Sequence, residues 1–226
     1  MTEPPAGAIV KILIADDHEI VRRGLRALIE SQANWKVIGE AVTGREAVDL
    51  AKAHSPHVAV LDVSMPELNG LEATRQILKV APQTEVLILT MHESEQVVRE
   101  VLDSGARGYV LKSDAGRDLI SAVDALYHRR PFFSSRVSEM LLQNYLGKQD
   151  HPPAAPGSSL RSRLTARERE IVQLLAEGKT NKEVAASLNI SIKTAEKHRT
   201  NIMNKLDLHS VTELVRYAVR NNIVAP

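Results

Sequence analysis

Two adjacent carboxylates, Asp16 and Asp17, follow the apolar run ILIA, where a dinucleotide-binding fold would place a glycine-rich turn for a pyrophosphate. Two negative charges repel a phosphate unless a cation intervenes. Asp62 ends a second apolar run, Thr90 a third and Lys112 a fourth. Brought together, three carboxylates repel one another, and some would hold a proton if they had no partner. A divalent cation resolves this. Magnesium takes oxygen ligands and often uses one or two carboxylates with water and a phosphate oxygen. An aspartate beside such an ion can act as a nucleophile and form an aspartyl phosphate. Lys112 and the metal would offset charge on the phosphoryl oxygens, and Thr90 would donate a hydrogen bond to one of them. Any one of these residues is ordinary at a strand end; all five at the ends of four runs are not.

The elements that must position them alternate in period. Apolar, β-branched runs lie at 10–16, 35–42, 57–63, 85–91 and 108–112. Helically spaced segments separate them, such as EIVRRGLRALIESQ, where Ile20, Leu25, Leu28 and Ile29 are expected to share a face. Runs that are apolar throughout fit strands buried on both sides, so a parallel sheet covered by helices on both faces is expected. Five βα units in about 120 residues suit a flavodoxin-like strand order 2-1-3-4-5, whose ligand crevice lies between the first and third strands, beyond their carboxyl ends. Asp16, Asp17 and Asp62 belong to those two strands.

Composition bounds the rest. The 226 residues are 43% hydrophobic and 25% charged, ordinary for a globular chain. With no Cys, thiolate zinc sites, disulfides and thiol nucleophiles are excluded. Aromatics make up only 3%, which leaves little for base stacking. No run approaches the roughly 20 apolar residues of a membrane span, and MTEPPAGAIV lacks the basic start of a signal peptide, so a cytoplasmic protein with no membrane partner is expected. The net charge of +1 hides an asymmetry. Residues 1–150 carry 17 Lys+Arg and 21 Asp+Glu, net −4; residues 151–226 carry 12 and 7, net +5. Only the second part suits a polyanion. A helix-like stretch at 135–146 leads into GKQDHPPAAPGSSLRSR, which has linker composition. The expected organisation is therefore 10–130, a connecting helix and linker at 131–160, and 161–226.

The last part reads as helices at 166–177, 181–188, 192–206 and 211–221. Capping boxes are expected at Thr165/Glu168, Thr180/Glu183 and Ser210/Glu213. Residues 181–200 have the helix, short turn, helix pattern whose second helix enters a major groove. On 192–206, Ile192, Ala195, Ile202 and Leu206 share one side, opposite Lys193, Glu196, Lys197, Thr200 and Asn204. Spacing alone also fits a solvated surface helix; the charge asymmetry and the preceding helix and turn shift the balance toward DNA. Val211, Leu214, Val215 and Ala218 form a stripe that either closes the small domain or offers a dimer contact. His18 and His92 flank the acidic residues and can line the site.

Two resemblances follow from these motifs. The pieces ADDHE, LDVSMPELNG, LTMHE and GARGYVLKS resemble the receiver domain of two-component response regulators. That resemblance implies that Asp62 is the phosphoacceptor, served by a sensor histidine kinase. It implies Mg²⁺ ligation by Asp17, Asp62 and the carbonyl of Ser64, with Asp16 assisting through water. Thr90 and Tyr109 become the switch pair, and Lys112 the phosphoryl contact. Residues 161–226 resemble the LuxR-type DNA-binding domain in LTAREREIVQLLAEGKTNKEVAASLNISIKTAEKHRTNIMNKL. By that resemblance Glu196, Lys197 and Thr200 face bases of double-stranded DNA. Thr180, Asn181, Lys182, Lys193, Thr194 and Arg199 meet its backbone, and part of the Val211–Ala218 stripe pairs two copies once the protein is phosphorylated or on DNA. Together they imply a NarL/FixJ-type response regulator, a DNA-binding transcription regulator and not an enzyme. A Mg²⁺-dependent phosphatase is the rival, but it would want an Asp-x-Asp pair that LDVSMP lacks. A DNA-binding protein with an unphosphorylated receiver is the other.

Overall fold

The computed structural model describes residues 9–91, 94–134, 137–139 and 164–224. The chain divides into two compact units between Gln149 and Asp150. Most of the expected helix at 135–146 and most of the linker lie outside the described residues.

The first unit is built on strands β1 (Val10–Ala15), β2 (Trp35–Ala41), β3 (Val58–Asp62), β4 (Glu85–Thr90) and β5 (Gly108–Leu111). Helices α1 (Glu19–Glu30), α2 (Gly44–His54), α3 (Gly70–Val80), α4 (Glu95–Ser104) and α5 (Ala115–Tyr127) alternate with them. A short strand β6 (Phe132–Phe133) pairs in parallel with β5, so the order is β2-β1-β3-β4-β5-β6. The five expected strands appear in the expected order. The sixth was not expected, since two residues are too few to show a period.

Period-2 alternation sorts the strand residues between two helical layers. Leu13, Ala15, Ala59, Leu61, Val86, Ile88, Tyr109 and Leu111 pack with Ala47 and Ala51 of α2, Leu71 and Ile77 of α3, and Val97, Val98 and Val101 of α4. Val10, Ile12, Ile14, Val58, Val60, Leu87, Leu89 and Val110 pack with Leu25 and Ile29 of α1 and Leu119, Ala122, Val123 and Leu126 of α5. On α1 the expected face needs one correction. Ile20 is 85% exposed, and Val21 takes its place against the core, because 100° per residue puts Val21, not Ile20, in line with Leu25 and Leu28.

The second unit contains α6 (Ala166–Ala176), α7 (Asn181–Ser187), α8 (Ile192–Leu206) and α9 (Val211–Arg220). Their apolar faces meet at Ile171, Val172, Leu174, Val184, Ala185, Ala195, Ile202, Leu214 and Ala218. Thr165 and Thr180 form complete capping boxes with Glu168 and Glu183. The third box is shifted by one residue. Ser210 accepts from Glu213 N, but the Glu213 carboxylate accepts from the backbone N–H of His209, at 2.6 Å. Ile192 also departs from the expected apolar side: it is 47% exposed at the first turn of α8.

Gly70, which opens α3 behind Asp62, has no substitute. A Cβ there would lie 1.9 Å from the Asp62 carbonyl oxygen, which is strand backbone and cannot yield. Gly24 and Gly116 sit in helices with nothing within 4 Å of where a Cβ would stand. Gly70→Ala is therefore expected to cost about 2–3 kcal/mol in urea unfolding of the first unit. Gly24→Ala and Gly116→Ala should each stabilise it by about 0.5–1 kcal/mol.

Candidate acidic site and nucleic-acid interface

The carboxyl edge of the sheet gathers the residues that the sequence scatters. Asp16 and Asp17 follow β1, Asp62 ends β3, Thr90 ends β4 and Lys112 follows β5. Because β1 and β3 are neighbours with the chain leaving in opposite directions from them, the three carboxylates stand at the point where strand order reverses. Asp16 is fully buried and Asp62 is 4% exposed. The Lys112 ammonium bridges them, 2.7 Å from Asp16 Oδ2 and 3.1 Å from Asp62 Oδ2. The Asp17 side chain is 35% exposed at the mouth.

The charges do not balance, since three carboxylates face one ammonium. Burial pushes the Asp62 carboxyl above the ordinary carboxylate range; Lys112 opposes this, while Asp16 and Asp17 add to it. Burial works against the Lys112 ammonium, yet the hydrogen bond to Asp16 and the charges of Asp62 and Asp16 outweigh it and hold Lys112 above the usual lysine range. Donor atoms of Asp16, Asp17 and His18 lie within 4.8 Å of one another. Excess negative charge and hard oxygen donors are what a divalent cation requires, so the residues present fit one. Ser64, two residues beyond Asp62, is half-buried.

Thr90 and Tyr109 are both fully buried. Tyr109 belongs to the layer that packs against α2, α3 and α4. Sequence reasoning missed Arg22. Its Nη1 donates to the Asp16 carbonyl at 2.7 Å and its Nε lies 3.4 Å from Glu40 Oε2, so it ties the acidic turn to β2. No periodic signal marks Arg22, because it points across a helix start to backbone. His18 caps the two adjacent carboxylates: its N–H donates to Asp16 Oδ1 at 2.9 Å, and Nδ1 lies 2.7 Å from Asp17 Oδ1. His92, the other histidine expected at the site, lies outside the described residues.

In the second unit, α7, a turn and α8 form a helix-turn-helix. Asn189 takes a positive φ of 52° in the turn. Arg167 of α6 pins that turn, donating to the Leu188 carbonyl at 2.8 Å and to Glu170 at 2.9 Å. Lys205 near the end of α8 pairs with Glu168 at 2.7 Å, which fixes α8 against α6. Ala195 and Ile202 anchor α8 in the core, and Lys193, Thr194, Glu196, Lys197 and Thr200 are left exposed. Among the described residues, Lys182, Lys193, Lys197 and Arg199 have no carboxylate partner.

Two sets of expected contact residues also take part in the unit's own structure. Thr180 donates its backbone N–H and its hydroxyl to Glu183 Oε2, at 2.8 and 2.7 Å. In the α9 stripe, Leu214 is 1% exposed and Ala218 fully buried inside the unit's own core. Val211 is 48% exposed and Val215 half-buried, so only these two are available to a second copy.

Known proteins match this arrangement. The response regulator receiver domain matches residues 12–124, and the luxR family of bacterial regulatory proteins matches 162–218. The transcriptional regulatory protein LiaR of Bacillus subtilis is 39% identical over 216 residues, covering 96% of this chain and 100% of that protein. The oxygen regulatory protein NreC of Staphylococcus carnosus is 38% identical, covering 95% and 99%. The RcsB response regulator of Salmonella typhimurium superposes with a TM-score of 0.63 at 29% identity, covering 95% of this chain and 98% of that one. An RcsB–DNA complex gives 0.57 at 29% identity, covering 94% and 98%. With the receiver match spanning half the chain and relatives aligned along nearly all of it, this chain belongs to the NarL/FixJ-type two-component response regulators, which join a receiver domain to a LuxR-type DNA-binding domain.

Proposed function

We propose that Asp62 accepts a phosphoryl group from a sensor histidine kinase and that this controls DNA binding by α8. The observation that carries the reading is the Asp62 carboxylate at the switch point, paired with Lys112 and crowded by Asp16 and Asp17. An Asp62 carboxylate oxygen forms a bond to phosphorus as the P–N bond of a phosphoimidazole breaks. The bonding pair leaves with the imidazole nitrogen, which then takes a proton. Asp17, Asp62 and the Ser64 carbonyl would hold Mg²⁺, with Asp16 assisting through water, and the ion would supply positive charge to the phosphoryl oxygens. Lys112 supplies the protein's own positive charge at that place. Its bond to Asp62 loosens as the carboxylate becomes an acyl phosphate, while its bond to Asp16 keeps it in position. Thr90 and Tyr109 form the switch pair: the added phosphate charge biases a pre-existing equilibrium of the receiver through them. Residues 10–130 act as the receiving part, 131–160 as the connector and 161–226 as the DNA-binding part, in the cytoplasm.

On DNA, Glu196, Lys197 and Thr200 face bases, while Thr180, Asn181, Lys182, Lys193, Thr194 and Arg199 meet the backbone. The unpaired cations among them support this. Thr200 spends its hydroxyl proton on the Glu196 carbonyl at 3.1 Å, so it meets a base through its methyl or as an acceptor. Val211 and Val215 supply the contact between two copies on paired half-sites.

Three outcomes test the reading. Asp62→Asn should abolish the mass increase that a small phosphodonor produces in the wild type; an unchanged increase would locate the acceptor elsewhere. The same variant should melt at a higher temperature at neutral pH. The folded-state pKa of Asp62 is raised, so stability present below the ordinary aspartate value of 3.8 is lost as pH rises through the folded value. The variant's advantage should therefore shrink as the pH is lowered toward 3.8 and be largest at neutral pH. Finally, Lys193→Ala should weaken binding to all duplexes alike and lower the magnitude of the slope of log K against log salt by about 0.9, in fluorescence anisotropy titrations.

A further inference from the structure

We propose that His57 is a pH-sensitive latch at the amino edge of the receiver sheet: its neutral ring ties β1 to the start of β3, and a protonated ring releases them. This edge lies at the opposite end of the strands from Asp16, Asp62 and Lys112. His57 meets Lys11 of β1 twice. Its backbone N–H donates to the Lys11 carbonyl at 2.8 Å. Its ring Nδ1 accepts from the Lys11 backbone N–H at 2.9 Å. The His57 carbonyl accepts from Glu85 N at 2.9 Å, so one residue joins the starts of β1, β3 and β4. The chain enters β3 through Ser55, at a left-handed φ of 44°, and Pro56, whose carbonyl takes the Thr84 hydroxyl at 2.7 Å. Strand β3 begins only at Val58, so the ring stands as an acceptor where the backbone ladder runs out.

A backbone N–H can only donate. Nδ1 must therefore present its lone pair, with the ring neutral and its proton on Nε2. Protonation turns Nδ1 into a second donor, and the Lys11 N–H loses its partner. The half-buried ring meets Tyr127 of α5 edge to face, with centroids 5.3 Å apart and planes at 68°, which fixes its orientation. Burial and the Lys11 ammonium both work against a proton on the ring and hold His57 below the usual histidine range. Lys36, the partner of Lys11 in β2, is a further cation beside it. The carboxylates at this end of β4 and α5 are engaged: Glu85 with Arg107 and Arg129 at 3.3 and 3.7 Å, and Asp124 with His128 and Arg130, each at 3.4 Å. His54, at the end of α2, and His128, just past α5, are further titratable groups at this edge. A lowered folded-state pKa means that the unfolded chain binds more protons below neutral pH. The latch contributes its full stability above the ordinary histidine value of 6.5 and loses it as the pH falls through 6.5 to the folded value.

The test compares the full chain with His57→Asn between about pH 7.5 and about pH 5, the range in which histidine changes charge. The Asn amide oxygen hangs from Cγ as Nδ1 does, so it accepts from the Lys11 N–H at every pH and does not titrate. Amide hydrogen exchange at Lys11, corrected for its intrinsic pH dependence, reads the latch directly. In the wild type its protection should fall by up to about tenfold per pH unit below 6.5, and in the variant it should stay level. The wild type's melting temperature should drop relative to the variant's over the same range; Asp62 is present in both, so its own pH dependence cancels in the difference. Nitrogen-15 spectra of the ring, assigned by its loss in the variant, should show the proton on Nε2 at neutral pH. A ring protonated on Nδ1 at neutral pH, or parallel Lys11 protection curves in the two proteins, would overturn the latch. Should His57→Asn fail to fold by circular dichroism, the wild type decides alone: a falling Lys11 curve supports the latch, and a flat one sinks it.

Discussion

The receiver unit depends on keeping more negative charge together than it neutralises. Asp16 and Asp62 are buried and share one ammonium, that of Lys112. Burial works against the charges of Asp62 and Lys112; pairing outweighs it for Lys112 but not for Asp62. Removing Lys112 would leave two buried carboxylates facing each other, whereas adding positive charge relieves the excess. A site of this kind is unstable toward gaining a cation or losing a carboxylate charge. Under the proposed role of Asp62, forming an acyl phosphate there would redistribute that charge, so a chemical event on one oxygen would reach both Asp16 and Lys112.

The fold supplies this arrangement through strand order. Five parallel strands end at one edge, and the reversal between β1 and β3 opens the crevice there. Both faces of the sheet are covered, so the strand ends are the place where polar groups can stand partly free of helices. Gly70 lets α3 begin directly against the Asp62 carbonyl, and Gly44 brings α2 equally close to the Leu68 carbonyl. These close approaches hold the β3–α3 loop, and with it Asp62 and Ser64, to the rest of the layer. Arg22 does the same for the turn that carries Asp16 and Asp17.

The DNA-binding unit follows the opposite rule. Several of its carboxylates are spent on structure: Glu168 and Glu183 close capping boxes, Glu168 also binds Lys205, and Glu170 binds Arg167. The Thr165 and Lys205 hydrogen bonds outweigh burial and hold Glu168 below the usual range, which keeps it charged for both roles. Lys182, Lys193 and Lys197, left without carboxylate partners among the described residues, face solvent. A surface that leaves several cations without carboxylate partners is ready for a polyanion.

Much of this was legible in the chain. Strands buried on both faces announce themselves as unbroken apolar runs, and Asp16, Asp17, Asp62, Thr90 and Lys112 stand at the ends of those runs. The complete capping boxes were legible because they depend on four consecutive residues. What was not legible depends on direction rather than type. Ile20 and Ile192 have the composition of core residues, but helix phase turns both outward. Leu214 and Ala218 could equally have faced a second copy, until the packing of α6, α7 and α8 claimed them for the unit's own core. Glu213 was one residue off, because the φ and ψ entering α9 present the N–H of His209 to its carboxylate. Strand β6 exists only because β5 offers it an edge. The sequence by itself determined the order of elements and which chemical groups would stand at strand ends, since those follow from local period and residue type. Only the tertiary structure decided which of those groups touch: that Lys112 joins Asp16 to Asp62, and that His18 turns its ring onto Asp17. Such contacts arise between residues far apart in the chain, or from the angle at which a helix leaves its strand, and neither is set by local sequence.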